Sequence, residues 1–311
     1  MGNFITVIIP LYNKEKYIEK TIMSILNQTY KHYEIIIIDD MSTDNGYLKA
    51  CQVQQSGKAR DSSFKVYQNE INKGVSYTRN KGIEIANGDY IFFLDADDEI
   101  SDENLFKSIN VFIEKYGAHY ILLTRNYYGK VLKPSPHLTG NIDELETDFY
   151  KIREKELFAE ENNFPFGGSG SAVLSVKCIK NARFDQNEPL FEDWLFFMSI
   201  YLITEVFYYS KDTIFINYDK NSTFKTNTNK SELSKIPSLY WLLNQNEKNN
   251  KLRKRFFWIW LKGDITKNKN REYIKGLYLS NKKFFIKNFQ LNKYSIYSML
   301  MITLYIIKKD R

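Results

Sequence analysis

The chain has 311 residues, 43% hydrophobic and 26% charged, a usage that excludes disordered and fibrous proteins and suffices for a sizeable core. Two cysteines, Cys51 and Cys178, are too few for a disulfide scaffold or a cysteine zinc site, and with no apolar leader before a cleavage site the chain is expected not to be secreted. The net charge of +7 is unevenly placed: residues 251–311 hold 16 Lys/Arg against 3 Asp/Glu, leaving 28 against 34 in residues 1–250.

Short apolar runs alternate with amphipathic stretches through the first hundred residues. Ile5–Pro10 is β-branched and ends at a breaker, as a buried strand does. Lys14–Gln28 carries Ile18, Ile22, Ile25 and Leu26 at helical spacing, with Asn13 placed to cap it. Strands are expected at Glu34–Ile38, Phe64–Tyr67 and Tyr90–Leu94, and a helix at Ser76–Ala86. Ser101 should cap the next helix, with Asp102 and Glu103 in its first turn. This alternation predicts an α/β fold, a parallel sheet with helices on both faces that binds ligands at the strands' carboxyl ends. Those ends carry Tyr12-Asn13, Asp39-Asp40 and Asp95-Ala96-Asp97.

Beyond Asn126 the pattern weakens, and residues 126–166 are expected to form a long connection or lid. Gly167–Ser171 is glycine-rich, and Phe191-Glu192-Asp193-Trp194 leads into an apolar helix. Residues 219–234 read as a polar loop or linker, and the remainder as helical, with aromatics among Lys and Arg. Tyr294–Ile307 has 14 residues without a charge, too short to span a membrane and suited either to an interfacial helix or to a core helix. Nucleic-acid binding is not expected, because the basic region is also aliphatic and holds no recognition module.

Asp95 and Asp97, two apart at a strand end, can reach one hard cation. Read alone they are loop and cap residues. His32, His119 and His137 show no metal-ligand spacing, and no dinucleotide or P-loop glycine motif is present.

At this point the chain resembles family 2 glycosyltransferases of the GT-A fold. The resemblance rests on residues 7–13 (Val-Ile-Ile-Pro-Leu-Tyr-Asn), residues 24–30, Ile38–Asp44, Asn72-Lys73-Gly74, Thr78–Gly82 and Asp95-Ala96-Asp97-Asp98, in order. Met41 departs from the family, which usually has glycine there. The resemblance implies a GT-A catalytic domain at 1–220, with a nucleotide-binding half (1–100) and an acceptor half (101–220), followed by a basic helical region at 221–311. It implies that Pro10 and Tyr12 line the base pocket, Glu15 lies near the nucleoside, and Asp40 with Asp39 accepts a hydrogen bond from uracil. Lys73 and Arg79 would lie near the nucleotide, Asp95 would contact the ribose or the metal shell, and Asp97 would bind Mn²⁺ or Mg²⁺. Asp193 would be the base that deprotonates the acceptor, with Glu192 and Gly168 on the acceptor side; read alone, Asp193 is a helix cap. The expected function is inverting transfer from a UDP-sugar to a glycan or lipid-linked acceptor in bacterial surface polysaccharide synthesis. The expected location is the inner face of the cytoplasmic membrane, held peripherally through the C-terminal region. A non-catalytic nucleotide-sugar-binding or membrane assembly protein of the same fold is the alternative; a nucleotidyltransferase would instead need a phosphate loop where Leu11–Lys14 stands.

Overall fold

Ile5, Val7, Ile8, Ile9 and Leu11 are all fully buried, which makes β1 (Ile5–Leu11) a central strand covered on both faces. The computed structural model describes residues 2–57, 63–127, 130–132, 142–153, 168–187 and 192–217, together with stretches of 258–307. The chain divides into two compact units, Met1–Tyr218 and Asp219–Arg311.

In the first unit α1 (Ile18–Leu26), β2 (Tyr33–Asp39), α2 (Gly46–Gln55), β3 (Ser63–Gln68), α3 (Val75–Ile85) and β4 (Tyr90–Phe93) follow in the expected alternation. β1 pairs in parallel with β2 and β4, and β2 with β3. Next come β5 (Glu99–Ile100), α4 (Leu105–Tyr116), β6 (Tyr120–Tyr127), β7 (Lys130–Leu132), β8 (Ile142–Glu146), β9 (Phe149–Ile152), β10 (Ala172–Ser175), α5 (Val176–Ile179), α6 (Glu192–Tyr201) and β11 (Phe207–Ile216). Among the described residues the sheet runs β3-β2-β1-β4-β10-β6-β11-β9-β8. β10 is antiparallel to both neighbours, β4 and β6. The α/β fold expected from the sequence is the one observed, with parallel pairing through its first half.

Three local expectations need correction. The first helix starts at Ile18 rather than Lys14, because Asn13 has left-handed backbone (φ 52°) and its side chain accepts from Thr43 N (2.8 Å) instead of capping. The fourth helix starts at Leu105, so Ser101, Asp102 and Glu103 precede it: Ser101 N is drawn to Thr213 O (2.8 Å) and Ile100 pairs with β11. Within 126–166, the hairpins β6–β7 and β8–β9 replace the expected irregular connection. Their strands are short and charged, which hid them, but Phe149 stacks between Phe112 (3.8 Å) and Tyr209 (4.3 Å). Residues 154–167, including Gly167, and the 219–234 segment lie outside the described residues, as does His137.

In the second unit the described residues include α7 (Lys293–Ile307), as expected for Tyr294–Ile307, and Trp258, the one described residue of 253–260. Among the described residues no helix is long and apolar enough to cross a membrane.

Met41 follows β2 with φ 62°, a conformation that costs a side-chain-bearing residue about 1 kcal/mol or more. Its side chain is exposed and little packing would be lost with it. Met41→Gly should therefore raise stability by about 0.5 kcal/mol after glycine's extra unfolded-state freedom is subtracted, and Met41→Val should lower it. Urea denaturation of the two variants checks this.

Candidate active site

Ladder bonds continue past the strand ends and bring three loops together. Asp40 N donates to Leu11 O (2.8 Å), Asn69 N to Asp39 O (2.8 Å) and Leu94 N to Ile8 O (3.0 Å). Tyr12 stands at this edge 40% exposed, after a half-buried Pro10. The buried Asp40 carboxylate accepts from Lys73 N (2.9 Å), Gly74 N (2.7 Å) and Asn69 Nδ2 (2.8 Å), gathering the loop before α3. Asp39, also buried, accepts from Ser42 N (3.0 Å), Ser42 Oγ (2.5 Å) and Gln68 Nε2 (2.9 Å). Glu15 accepts from Asn45 N (3.0 Å) and Nδ2 (3.1 Å), bonds that hold its carboxyl below the ordinary value. The Lys73 ammonium lies 4.4 Å over the Tyr77 ring.

A second cluster forms where β4 meets α6. Arg79, on α3 and 5% exposed, donates to Asp95 Oδ1 (3.1 Å) and to Glu192 Oε1 (3.0 Å), and lies 5.2 Å over the Phe184 ring. It thereby joins the Asp95–Asp98 turn to the start of α6. Aromatic packing fixes the same junction, with Phe93 two residues before Asp95 in edge contact with Phe184, Phe196 and Phe197. Asp193, the second residue of α6, is half-buried and accepts from Trp194 N (2.8 Å). Burial and the neighbouring Glu192 push its carboxyl up to about 6, against the opposing pull of Arg79. Gly168 sits beside it: a β-carbon there would stand 3.4 Å from Asp193 Oδ2.

The turn itself is closely held. Lys14 Nζ lies 2.5 Å from Asp97 Oδ2, with the two side chains 16% and 15% exposed. Burial and Asp95 raise the Asp97 carboxyl, and Lys14 opposes the rise. Asp98 is raised further, by burial first and then by Asp95 and Asp97. Gly170, at φ 70°, donates to Phe93 O (2.6 Å), and a β-carbon on it would meet Asp98 Oδ2 at 3.4 Å. Asn217, just after β11, closes the turn, donating to Asp97 O (2.7 Å) and Glu99 Oε1 (3.1 Å).

The Glycosyl transferase family 2 model matches residues 6–181, a span that includes both the loop edge and the acidic turn. The chain belongs to the family 2 glycosyltransferases. A Haemophilus influenzae protein described as an uncharacterized glycosyltransferase is 31% identical over 248 residues, 80% of this chain and 89% of that one. Escherichia coli WfgD, a UDP-Glc:alpha-D-GlcNAc-diphosphoundecaprenol beta-1,3-glucosyltransferase, is 33% identical over 135 residues, 42% of this chain and 51% of its own length. The structure of S. aureus TarS 1-349 in complex with UDP superposes with a TM-score of 0.64 at 20% identity, covering 91% of this chain and 78% of that one, and shares the fold.

In this glycosyltransferase the fold brings Arg79, Asp95, Glu192, Asp193 and Gly168 into one cluster, with Asp97 in the adjoining turn. Asp39, Asp40, Glu15 and Lys73 lie at the strand edge in contacts with the protein's own loops. Sequence reasoning missed Lys14, Asn217 and Arg125. Arg125, on β6, feels the charges of Asp193, Asp98 and Asp95, while burial lowers its own pKa. Asp98 was visible in the Asp-Ala-Asp-Asp run, but nothing in the sequence marks residues whose partners lie about a hundred positions away.

Removing Arg79 would leave two carboxylates facing each other without their shared cation. Arg79→Met should destabilise the fold by about 3 kcal/mol, the usual cost of breaking a buried pair from one side. Arg79→Lys, which reaches one partner, should fall between them in urea denaturation.

Proposed function

We propose that this glycosyltransferase moves a sugar, with inversion, from a UDP-sugar to a hydroxyl of a glycan or lipid-linked acceptor in bacterial surface polysaccharide synthesis. The observation that carries the mechanism is Asp193: a carboxylate at a helix start, raised to about 6 by burial and Glu192, with Gly168 presenting no side chain beside it. A base poised near neutral pH accepts a proton well while remaining mostly ionised. Asp193 takes the acceptor hydroxyl's proton as that oxygen attacks the anomeric carbon; the bond from that carbon to the diphosphate breaks and UDP departs. Residues 1–100 would hold the nucleotide, with the Tyr12 ring and Pro10 flanking the base and the Asp39–Asp40 turn setting the loops around it. Residues 101–220 would hold the acceptor, with Glu192 kept in place by Arg79.

Asp95 and Asp97 fit a hard cation. They offer carboxylate oxygens, and Asp97 already draws a cation to itself in the Lys14 ammonium. Among the described residues no three His, Cys, Asp or Glu side chains form a complete ligand set, so diphosphate oxygens and water would supply the rest. Mg²⁺ or Mn²⁺ bound there supplies Lewis-acid neutralisation of the leaving diphosphate. A UDP donor and a lipid-linked acceptor agree with the name of the E. coli relative, and UDP with the TarS complex.

The second unit supports peripheral attachment at the inner face of the cytoplasmic membrane. On α7, Ser295 and Ser298 are fully buried along with Ile302, while Ile296 (48%) and Leu300 (59%) face outward. The sequence of residues 251–311 also carries 16 Lys/Arg, a charge that suits an anionic lipid surface.

Asp193→Asn should cut transfer by about 10³-fold while leaving UDP affinity nearly intact; parallel loss of UDP binding would remove Asp193 from the base role. In the wild type, kcat/KM should fall as pH drops through about 6, where Asp193 takes up its proton. Because its folded value is raised, ionising Asp193 costs stability as pH rises from 3.8 to about 6. Asp193→Asn should therefore raise Tm at neutral pH and lose that gain in acid. For the membrane, the double change Ile296→Asp and Leu300→Asp should lower co-sedimentation with phosphatidylglycerol vesicles; unchanged co-sedimentation refutes attachment through this face.

A further inference from the structure

Among the described residues, Lys14 and Arg79 are both ion-paired to the acidic turn, and they are held in different ways. Arg79 is buried and divided between two carboxylates, Asp95 and Glu192, so displacing it would strand both. Lys14 bonds Asp97 through one flexible side chain from a loop that is itself rigidly placed. Asn13 before it is left-handed and tied to the next loop through Ser42 Oγ (2.9 Å) and Thr43 N (2.8 Å). Lys14 O receives Tyr17 N and Ile18 N, both at 3.0 Å, and so starts α1. Helix α1 is in turn fastened to the acidic turn, where Thr21 Oγ1 donates to Ala96 O (2.9 Å) and Ile100 N donates to Ser24 Oγ (3.0 Å). Backbone and helix contacts thus tie the Lys14 loop to the turn, while the Lys14 ammonium meets Asp97, and lies 5.8 Å from the Tyr17 ring centre, at the end of a flexible side chain.

The Lys14 ammonium stands on the carboxylate that would hold a divalent cation if Asp97 is a ligand. An ammonium and a doubly charged cation on one carboxylate repel each other strongly in a partly buried setting. An ammonium with three donors is also well matched to diphosphate oxygens. We propose that Lys14 is a placeholder cation: it neutralises Asp97 in the donor-free enzyme, yields that carboxylate to the divalent cation, and passes to the arriving diphosphate. Cation and nucleotide then bind cooperatively, because each removes what opposes the other: the diphosphate takes up the ammonium, and the cation occupies the carboxylate it leaves. This inference rests on Asp97 being a metal ligand.

The test measures Mn²⁺ binding to the full-length protein by electron paramagnetic resonance of free Mn²⁺, without UDP and at saturating UDP. The wild type should bind Mn²⁺ weakly alone and about tenfold more tightly with UDP. Lys14→Met should bind Mn²⁺ more tightly without UDP and lose most of the enhancement. Lys14→Arg, whose fork grips a carboxylate with two bonds, should bind Mn²⁺ more weakly than the wild type without UDP, which preserves the test if the methionine variant folds poorly. Wild-type Mn²⁺ affinity and coupling in both variants would overturn the placeholder role and leave a purely structural ion pair. Asp97→Asn separates the two ideas: Mn²⁺ binding that survives it with UDP present removes Asp97 as ligand and the inference with it. Loss of Mn²⁺ binding in Asp97→Asn, with unchanged binding in the Lys14 variants, sinks the placeholder alone.

Discussion

One buried guanidinium ties distant segments of the first unit together. Arg79 reaches Asp95 at the end of β4 and Glu192 at the start of α6, residues 97 apart in sequence, and is nearly inaccessible to water. A charge so placed is tolerable only while its partners remain, so it dictates where α6 may begin and how the acidic turn is oriented. It also tempers the local proton affinity: burial raises the Asp193 carboxyl to about 6, Glu192 adds to the rise, and Arg79 holds it down. The ion pair thus fixes Glu192 beside the proposed base and restrains that base's rise, and the aromatic cluster around Phe93 packs at the same junction.

At the strand edge the acidic residues do a different job. Asp39, Asp40 and Glu15 spend their oxygens on backbone and side-chain N–H and O–H groups of the loops at 42–45 and 68–74. A buried carboxylate accepting several such bonds holds a loop more firmly than a neutral acceptor does. Tyr12 and Met41 remain exposed on the frame these bonds build. Motif residues can therefore be indispensable to a ligand's surroundings by shaping them. Met41 shows how far the frame dominates: the turn keeps its left-handed backbone even where methionine occupies it.

Much of the first hundred residues was legible, since four β-branched or aromatic runs alternate with amphipathic helices and local periodicity reports burial directly. The second hundred was less so. Ile142–Glu146 and Phe149–Ile152 form a hairpin without a clean alternation, because the first lies at the sheet's edge and, of the two, only Phe149 and Ile152 are buried. Helix starts also slipped. Asn13 and Ser101 have the chemistry of caps, but distant partners, Thr43 and Thr213, claimed their loops.

The sequence by itself determined the α/β alternation, the family motifs, the acidic turn and the concentration of positive charge in the last sixty residues, because each is written in residues near one another along the chain. Only the tertiary structure decided that Arg79 joins Asp95 to Glu192, that Lys14 stands on Asp97, that Asn217 closes the turn, and that Ile296 faces out while Ser295 faces in. Those are matters of pairing between segments about a hundred positions apart, or of which side of a helix is covered. Charge and burial at a point depend on everything packed around it, and no local pattern in the chain encodes that.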